Sequence, residues 1–216
     1  MSKRTIKAKS DKEFKATKKD LRIMLYMAKA GGVSYESLMN RFGYSKDTIT
    51  KRFTKLKYIL RTPEPVVIDG KEVVRYVYSL SKAGKELMLK HNLCHHCCSY
   101  NGYEHLIKSE QELFRLVGRD DLFDSKKSIS EVAPGVVALE DILCEAEQQF
   151  MHEANMELLR EQGMSISAVD YLYKNDKDEY IAVEVETKNY RKERKEAHYN
   201  YVKHVLQLSK NNYRIV

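Results

Sequence analysis

The chain has 216 residues, with 38 Lys+Arg against 31 Asp+Glu and a formal net charge of +7. Its hydrophobic fraction of 43% is ordinary for a globular protein and too high for a disordered one. Three prolines and nine glycines exclude collagen-like and low-complexity chains. The apolar runs fall far short of the ~20 residues that a membrane span needs, and the lysine-rich N-terminus lacks the apolar stretch of a secretory signal. We therefore expect a cytoplasmic protein without a membrane partner.

Charge is distributed unevenly along the chain. Residues 1–90 carry 22 Lys+Arg and 9 Asp+Glu, a balance of +13, whereas residues 91–187 have a balance of −12 and residues 188–216 one of +6. Such segregation predicts units with different partners, and a basic unit favours a polyanion such as nucleic acid. Residues 1–19 are polar throughout, which predicts a flexible basic arm or a solubilising tail.

Three helices are predicted between residues 20 and 60 from the spacing of apolar residues. The predicted N-caps are Asp20, Ser34 and Ser45, and the predicted stops are Gly31-Gly32 and Gly43. The third helix, residues 46–60, would bury one apolar stripe. Its members are Ile49, Phe53, Leu56 and Leu60. Short helices joined by a glycine-containing turn are typical of a helix-turn-helix.

A β-hairpin follows these helices. The β-rich runs on either side of Asp69-Gly70 predict two strands, and this pair favours a two-residue type I′ turn. Three helices and a hairpin resemble the winged-helix order. From Tyr78, the segment YSLSKAGKELM also resembles the Y-x-L-T-x-x-G-x-x-L exit of winged-helix DNA-binding proteins. The resemblance covers residues 20–90 and implies a winged-helix DNA-binding domain.

A DNA-reading face is predicted on the third helix, opposite its apolar stripe. Cations there would meet phosphates and guanine edges, and hydroxyl groups would form close hydrogen bonds. The predicted DNA-binding residues are Lys46, Thr48, Lys51, Arg52 and Lys55, with Lys71 at the wing tip and Arg75 on its return strand; Asp47 and Thr54 share the helix face. The alternatives are a basic face that is merely solvated and a winged helix that binds protein.

The segment HNLCHHCC, residues 91–98, begins a predicted helical connector that extends to residue 138. Cys94 and Cys97 have the spacing of a zinc-binding pair. No second CxxC or HxxxH follows at zinc-finger distance, and Cys144 stands alone. Cys94 and Cys97 are therefore a zinc candidate, most credible as a site shared by two subunits, but zinc is not the expected cofactor. The alternative is a set of reduced, partly buried cysteines that bind no metal. If this segment is a helix, four of its side chains would share one face. These are His91, Cys94, His95 and Cys98.

Residues 139–216 predict a helix, two strands, a helix and a short strand, which form a small α/β unit. A hairpin turn at residues 175–178 would place Asp170 beside the alternating strand VEVETK. In that strand the valines lie on one face, and three charged residues project from the other. They are Glu184, Glu186 and Lys188. Converging carboxylates repel one another unless a cation neutralises them, so the pattern favours Mg²⁺, beside which a lysine can orient an attacking water.

The acids and lysine resemble the motif of the PD-(D/E)xK nucleases, the restriction-endonuclease-like superfamily. Asp170 matches the first acid and Glu186-Thr187-Lys188 the ExK half, although Val169 stands where the family has proline. The resemblance implies that Asp170 and Glu186 bind Mg²⁺. The catalytic residues would be Asp170, Glu184, Glu186 and Lys188, with Glu153 or Glu157 as an extra acid. A solvent-facing strand with no site is the alternative.

The order of these units resembles the plasmid replication-relaxation (mobilisation accessory) proteins. We therefore predict an α+β protein with an N-terminal winged helix-turn-helix and a restriction-endonuclease-like domain. The resemblance implies a DNA-binding accessory protein of a plasmid, phage or other mobile element, with a relaxase or replication protein as partner. Acidic helices within residues 103–162 would support a homodimer. The alternatives are an active Mg²⁺-dependent endonuclease and a dimeric transcriptional repressor with an inert second domain.

Overall fold

The structure, a computed structural model, describes residues 15–53, 55–118, 120, 122–123, 137–188 and 190–216. The helices are α1 (Lys18–Ala30), α2 (Tyr35–Asn40), α3 (Lys46–Thr48), α4 (Lys82–Lys90), α5 (Tyr103–Val117), α6 (Glu145–Glu161) and α7 (Lys192–Asn200). The strands are β1 (Val33–Ser34), β2 (Ile59–Ile68), β3 (Lys71–Leu80), β4 (Leu143–Cys144), β5 (Tyr171–Lys174), β6 (Tyr180–Glu184) and β7 (Tyr213–Ile215). A π-helical turn extends α3 over Ile49–Phe53 and another extends α7 over Tyr201–Val205.

This mixture of helices and strands is compatible with the predicted α+β class. Within the described ranges, no helix combines the length and apolar character needed to cross a membrane. Most of the predicted basic arm, residues 1–14, lies outside the described residues, as does Thr54.

Helix α1 begins with a capping box rather than at Asp20. The backbone N–H of Asp20 donates to Thr17 Oγ1 at 3.3 Å, and that of Thr17 donates to Asp20 Oδ2 at 2.6 Å. The predicted N-cap at Asp20 is therefore wrong by three residues, because the Thr17 hydroxyl caps the helix and Asp20 closes the box from position N3. The predicted caps Ser34 and Ser45 are confirmed.

The third helix is shorter than the predicted span of residues 46–60. Ile49, Phe53 and Leu56 are buried as expected, but Leu60 lies in β2 and is 53% exposed. Strand pairing already begins at Ile59, opposite Leu80 in β3, so the backbone there is extended. In the sequence, apolar residues keep their helical spacing as far as Leu60, but the pairing of β2 with β3 ends the helix before that residue.

The first sheet has the strand order β1-β3-β2. Its two long strands meet at Asp69 and Gly70, whose φ values of 51° and 74° are the left-handed pair that a type I′ turn requires. The predicted hairpin turn is confirmed. Among the described residues, strand β2 pairs only with β3 and so lies at an edge of this sheet. Proline lacks the backbone N–H that a central strand needs, and an edge strand can accommodate Pro63 and Pro65.

The second sheet has the order β4-β5-β6-β7. Strands β5 and β6 form the predicted antiparallel hairpin, and α7 connects β6 to the parallel strand β7. Val183 and Val185 contribute to a hydrophobic cluster that also contains Ile23 and Met27 of α1. On the opposite face, Leu172 and Ala182 belong to a second cluster with side chains of α6 and the end of α7. Residues of both predicted domains thus share one core.

The segment that follows α4 is irregular from residue 91 to residue 102. The predicted helical face that would have joined His91 to Cys98 is therefore wrong, because α4 ends at Lys90. This irregular segment lies against α1, where the Cys98 N–H donates to the Ala28 carbonyl at 2.8 Å.

A glycine in α4 marks a close backbone approach. A Cβ at Gly84 would lie 2.1 Å from the carbonyl oxygen of Tyr58, which also accepts the Ser81 N–H at 2.9 Å. Replacing glycine by alanine inside a helix ordinarily stabilises it by about 1 kcal/mol. Here we expect Gly84→Ala to lower the free energy of unfolding by about 1–3 kcal/mol, because the backbone must shift. Urea unfolding measures this change. The exposed control Glu86→Ala should stay within about 0.5 kcal/mol of the parent chain, and a Gly84→Ala variant at least as stable as the parent would contradict the close approach.

Candidate functional site

Three of the predicted DNA-binding lysines are exposed on or just beyond the third helix. Lys46, Lys51 and Lys55 present their side chains to solvent. Lys51 Nζ lies 3.5 Å from Asp47, but these side chains are 74% and 82% exposed, so water screens the pair. The Thr48 hydroxyl is 2.9 Å from Ser45 Oγ within the N-terminal cap of the helix. This face therefore offers mainly mobile cations.

Arg52, also predicted to contact DNA, forms a structural ion pair. Its Nε donates to Asp20 Oδ1 at 2.7 Å, and a terminal nitrogen donates to the other carboxylate oxygen. Asp20 is fully buried. Burial raises the pKa of Asp20, but hydrogen bonds from Arg52 and Thr17 outweigh it and hold the pKa below its usual value. The pair joins the third helix to α1, a role that helix periodicity alone does not reveal.

The hairpin adds further polar groups next to the third helix. Lys71 is exposed at the turn, and Arg75 Nη1 lies 2.7 Å from Glu36 Oε1. Arg61 stacks over the Tyr76 ring at 3.7 Å. These elements border a cavity of about 250 Å³. Its lining residues are Tyr35, Glu36, Lys46, Thr50, Arg61, Val74, Arg75, Tyr76 and Tyr78. Neither Thr50 nor Arg61 was predicted as a site residue. Thr50 lies within the predicted third helix but was not placed on its DNA-reading face, and Arg61 falls between that helix and the first predicted strand.

The second candidate site lies where β5 and β6 meet. Tyr171 pairs with Val183, so Asp170 and Glu184 fall on the same face beside each other. Asp170 Oδ2 accepts the Val185 N–H at 2.8 Å, and its Oδ1 is 3.0 Å from His105 Nε2. Glu184 is only 1% exposed. An exposed strand face is therefore wrong for Glu184.

The nearest polar groups to the Glu184 carboxyl are a tyrosine hydroxyl and a histidine ring. Tyr190 donates its hydroxyl proton to Glu184 Oε1, and Tyr190 Oη is 2.9 Å from His198 Nε2. Oε2 lies 3.4 Å from His198 Nδ1 but accepts no hydrogen bond from the described residues. The pKa of Glu184 is raised to about 10, first by burial and then by the charges of Asp170 and Glu145, against an opposing effect of Arg194. Burial also lowers the pKa of His198.

A third acid, Glu145 at the start of α6, accompanies Asp170 and Glu184. Its pKa is raised first by burial and then by the charge of Asp170. The acids suggested by the sequence, Glu153 and Glu157, are exposed farther along the helix. The sequence pattern did not identify Glu145, because its proximity to Asp170 depends on where α6 begins relative to the second sheet. We call Glu145, Asp170 and Glu184 the acid cluster.

Two members of the predicted nuclease motif, Glu186 and Lys188, interact with residues outside the acid cluster. Glu186 pairs through its carboxylate with Lys195, and its carbonyl accepts from Lys108 Nζ at 2.5 Å. Lys188 is exposed, with its backbone N–H 3.3 Å from a Glu104 carboxylate oxygen. The acid bordering Asp170 is thus Glu184, two residues before Glu186.

The acid cluster meets some requirements of a Mg²⁺ site. Its carboxylates are hard oxygen ligands, and the buried oxygen Glu184 Oε2 lacks a hydrogen-bond donor. Among the described residues, however, only one set of three ligand atoms lies within 4.8 Å of one another, and it consists of Cys94, Cys144 and Glu147. The donor types of the acid cluster suit Mg²⁺, while Glu186 is not part of that cluster.

Cys94 and Cys97, the zinc candidates, lie next to the other two cysteines. The Cys94 thiol interacts with the thiols of Cys97 and Cys144, and that of Cys98 with Cys144. The prediction that Cys144 stands alone is therefore wrong. Strand β4, paired with β5, brings Cys144 back to the segment after α4, a long-range contact that sequence spacing does not show.

Comparison with protein-family models, with curated proteins and with solved structures finds no match to this chain. The interpretation of both sites therefore rests on the motifs and on the geometry of these side chains.

The acid cluster makes stability depend on pH. The pKa of Glu184 is raised in the fold from its ordinary value of 4.5 to about 10, so its contribution to stability is full below 4.5 and is lost as pH rises toward 10. Glu184→Gln keeps a neutral side chain at every pH. We expect this variant to exceed the parent chain in stability by about 1–3 kcal/mol near pH 8, and to match it near pH 4.

Thermal unfolding at a series of pH values measures this difference. Glu157→Gln removes an exposed carboxylate from α6 and should show no such trend. A Glu184→Gln variant that is less stable than the parent near pH 8 would show that Glu184 is charged and well stabilised there.

Proposed function

We propose that the chain binds double-stranded DNA through a winged-helix domain formed by residues 20–90. The observation that carries this proposal is the arrangement around the first sheet. Strand β1 lies between α1 and α2 in the chain and pairs with β3. Phe53 of the third helix packs against Tyr78 of β3 with ring centroids 5.8 Å apart, so the third helix and the β2–β3 hairpin are neighbours. This order of three helices, a short strand and a hairpin supports the resemblance identified in the sequence.

The charge of the surface supports the same proposal. Lys46, Lys51 and Lys55 project from the third helix or just beyond it, and Lys71 projects from the hairpin tip. In this mode the helix would enter the major groove, its cations meeting phosphates and guanine edges, while the wing would reach phosphates beside it. The homodimer and the relaxase or replication-protein partner implied by the resemblance belong to this proposal, since a dimer suits a palindromic site.

The DNA-binding test uses Lys46→Ala, Lys51→Ala and Lys55→Ala, singly and together. Each lysine that neutralises a phosphate releases about one counterion, so each loss should reduce the slope of log K against log salt by about one. Fluorescence anisotropy with random-sequence duplexes at several salt concentrations measures the slope. Arg52 is left intact because its removal would leave the buried carboxylate of Asp20 unpaired.

A matched control removes the same charge elsewhere. Lys174, Lys177 and Lys203 are exposed in the C-terminal part of the chain, and a triple alanine variant there lowers the net charge equally. We expect this control to retain nearly the full slope. Equal losses in the two triple variants would mean that binding follows net charge alone, and no duplex binding by the parent chain would reject the proposal.

A second candidate function is Mg²⁺-dependent cleavage of the phosphodiester backbone at the acid cluster. It is favoured by the three neighbouring carboxylates and by the buried Glu184 oxygen without a donor. Bound Mg²⁺ would stabilise negative charge on a phosphate. Asp170 and Glu184 would hold the ion, Tyr190 would orient Glu184 through its hydroxyl, and Lys188 would position water, as the nuclease resemblance implies.

Supercoiled plasmid incubated with Mg²⁺ or Mn²⁺ tests this second candidate. If the acid cluster is catalytic, Asp170→Asn should reduce nicking by at least ~100-fold, and Lys188→Ala should reduce it as well. Glu161→Gln, which alters an exposed acid at the end of α6, should leave nicking unchanged. Absence of nicking by the parent chain, or nicking that survives Asp170→Asn, would exclude the endonuclease and leave the DNA-binding proposal standing.

A further inference from the structure

All four cysteines of the chain lie at one place in the fold. Cys94 and Cys144 are 1% and 0% exposed, and both thiols donate to the same acceptor, the His96 carbonyl oxygen, at 3.3 and 3.4 Å. The thiols of Cys97 and Cys98 interact with those of Cys94 and Cys144, respectively. None of the four forms a disulfide. Four neighbouring thiols, two of which donate to one carbonyl oxygen, are an unusual core, because a thiol is a weak hydrogen-bond donor.

Backbone contacts with two helices, α6 and α1, hold these cysteines in place. Cys144 is the N-cap residue of α6, where its N–H donates to a Glu147 carboxylate oxygen at 3.0 Å. Cys98 is fixed to α1 by its bond to Ala28. Behind it, the Ser99 carbonyl oxygen lies only 2.5 Å from where a Cβ would stand on Gly31, whose φ of 80° also favours glycine. The thiols are thus positioned by a rigid frame.

A buried ammonium group accompanies the thiols. Lys29 is 2% exposed, and its Nζ lies 2.6 Å from Glu147 Oε2. The other oxygen of that carboxylate is 3.6 Å from Cys94 Sγ. Lys29 also lies within electrostatic range of both Cys94 and Cys144. A buried cation beside sulfur atoms offsets negative charge on thiolates, and a carboxylate held by two donors can orient a neighbouring ligand.

We propose that Cys94, Cys97, Cys98 and Cys144 bind one Zn²⁺ ion as a structural site. Thiolates are the ligands that select zinc over Mg²⁺. Zn–S bonds of about 2.3 Å in a tetrahedron place sulfur atoms about 3.8 Å apart. The sulfur atoms of Cys94 and Cys144 lie within 4.8 Å of each other and of a Glu147 carboxylate oxygen, which suits a single ion. The thiols of Cys97 and Cys98 border this pair, one beside Cys94 and the other beside Cys144.

Binding would exchange thiol protons for the metal. The four S–H protons leave to solvent as four thiolates coordinate Zn²⁺, and the two bonds to the His96 carbonyl are lost. A closed set of four protein ligands leaves no position for substrate, so the ion would be structural. It would fix the irregular segment after α4 to the start of α6, two parts of the chain that the sequence places in different predicted domains.

Metal content and spectroscopy test this proposal on the full chain. Protein purified under reducing conditions with zinc supplied should contain one zinc per chain by mass spectrometry of the metal. Substitution with Co²⁺ should produce thiolate-to-cobalt charge-transfer bands and the intense visible bands of a tetrahedral site. Cys144→Ser should raise the zinc dissociation constant by more than ~100-fold. His95→Gln, which alters an exposed neighbour, should leave it unchanged.

A test on the parent chain does not depend on how variants fold. A strong zinc chelator should lower the Tm, and zinc, but not Mg²⁺, should restore it. The double variant Cys97→Ser and Cys98→Ser, at half-buried positions, should abolish the chelator effect.

The proposal would be overturned if the chain contained no zinc and its Tm changed with neither chelator nor zinc. It would also be overturned if the purified chain contained iron and inorganic sulfide, or if two of these cysteines formed a disulfide that persists in reductant. The DNA-binding test is independent of this result: lysine variants that lose DNA but keep zinc leave the metal site intact.

Discussion

Helix α1 is buried along most of its length, so each buried polar side chain on it requires a partner from elsewhere in the chain. Asp20 is paired with Arg52, and Lys29 with Glu147. Tyr26 donates to Asp120 at 3.0 Å. Separating a buried charge from its partner typically costs about 3–5 kcal/mol, far more than a surface ion pair contributes. These contacts therefore determine where the third helix, α6 and the segment near Asp120 must lie, and both candidate sites depend on them.

Local features of the fold follow from the sequence. The cap residues Ser34 and Ser45 and the turn at Asp69-Gly70 depend on interactions within a few residues, so pattern and residue type suffice to predict them. The predicted end of the third helix is wrong because the residues from Ile59 onward pair with β3 instead of continuing the helix. Helical periodicity cannot register a competing strand partner that lies twenty residues later in the chain.

The candidate sites were predictable only in part. Asp170 was recognised because a hairpin turn places it opposite the next strand. His105, Glu145 and His198 were not, since each approaches the sheet from a separate helix. Cys144 shows the same limit, because only the pairing of β4 with β5 returns it to Cys94. Side-chain alternation placed Val183 and Val185 correctly in the core but says nothing about which helix covers the opposite face and buries Glu184.

The common hydrophobic cluster of α1 and β6 has a consequence for how this protein can be divided. A fragment that ended after α4 would keep every element of the DNA-binding proposal, yet it would expose the side of α1 that now contacts α5 and the second sheet. The apolar area uncovered would favour aggregation over a soluble fragment. The part that carries the proposed DNA-binding surface is then smaller than the smallest part that we expect to fold, and we do not expect the two halves to be exchangeable by recombination as independent modules.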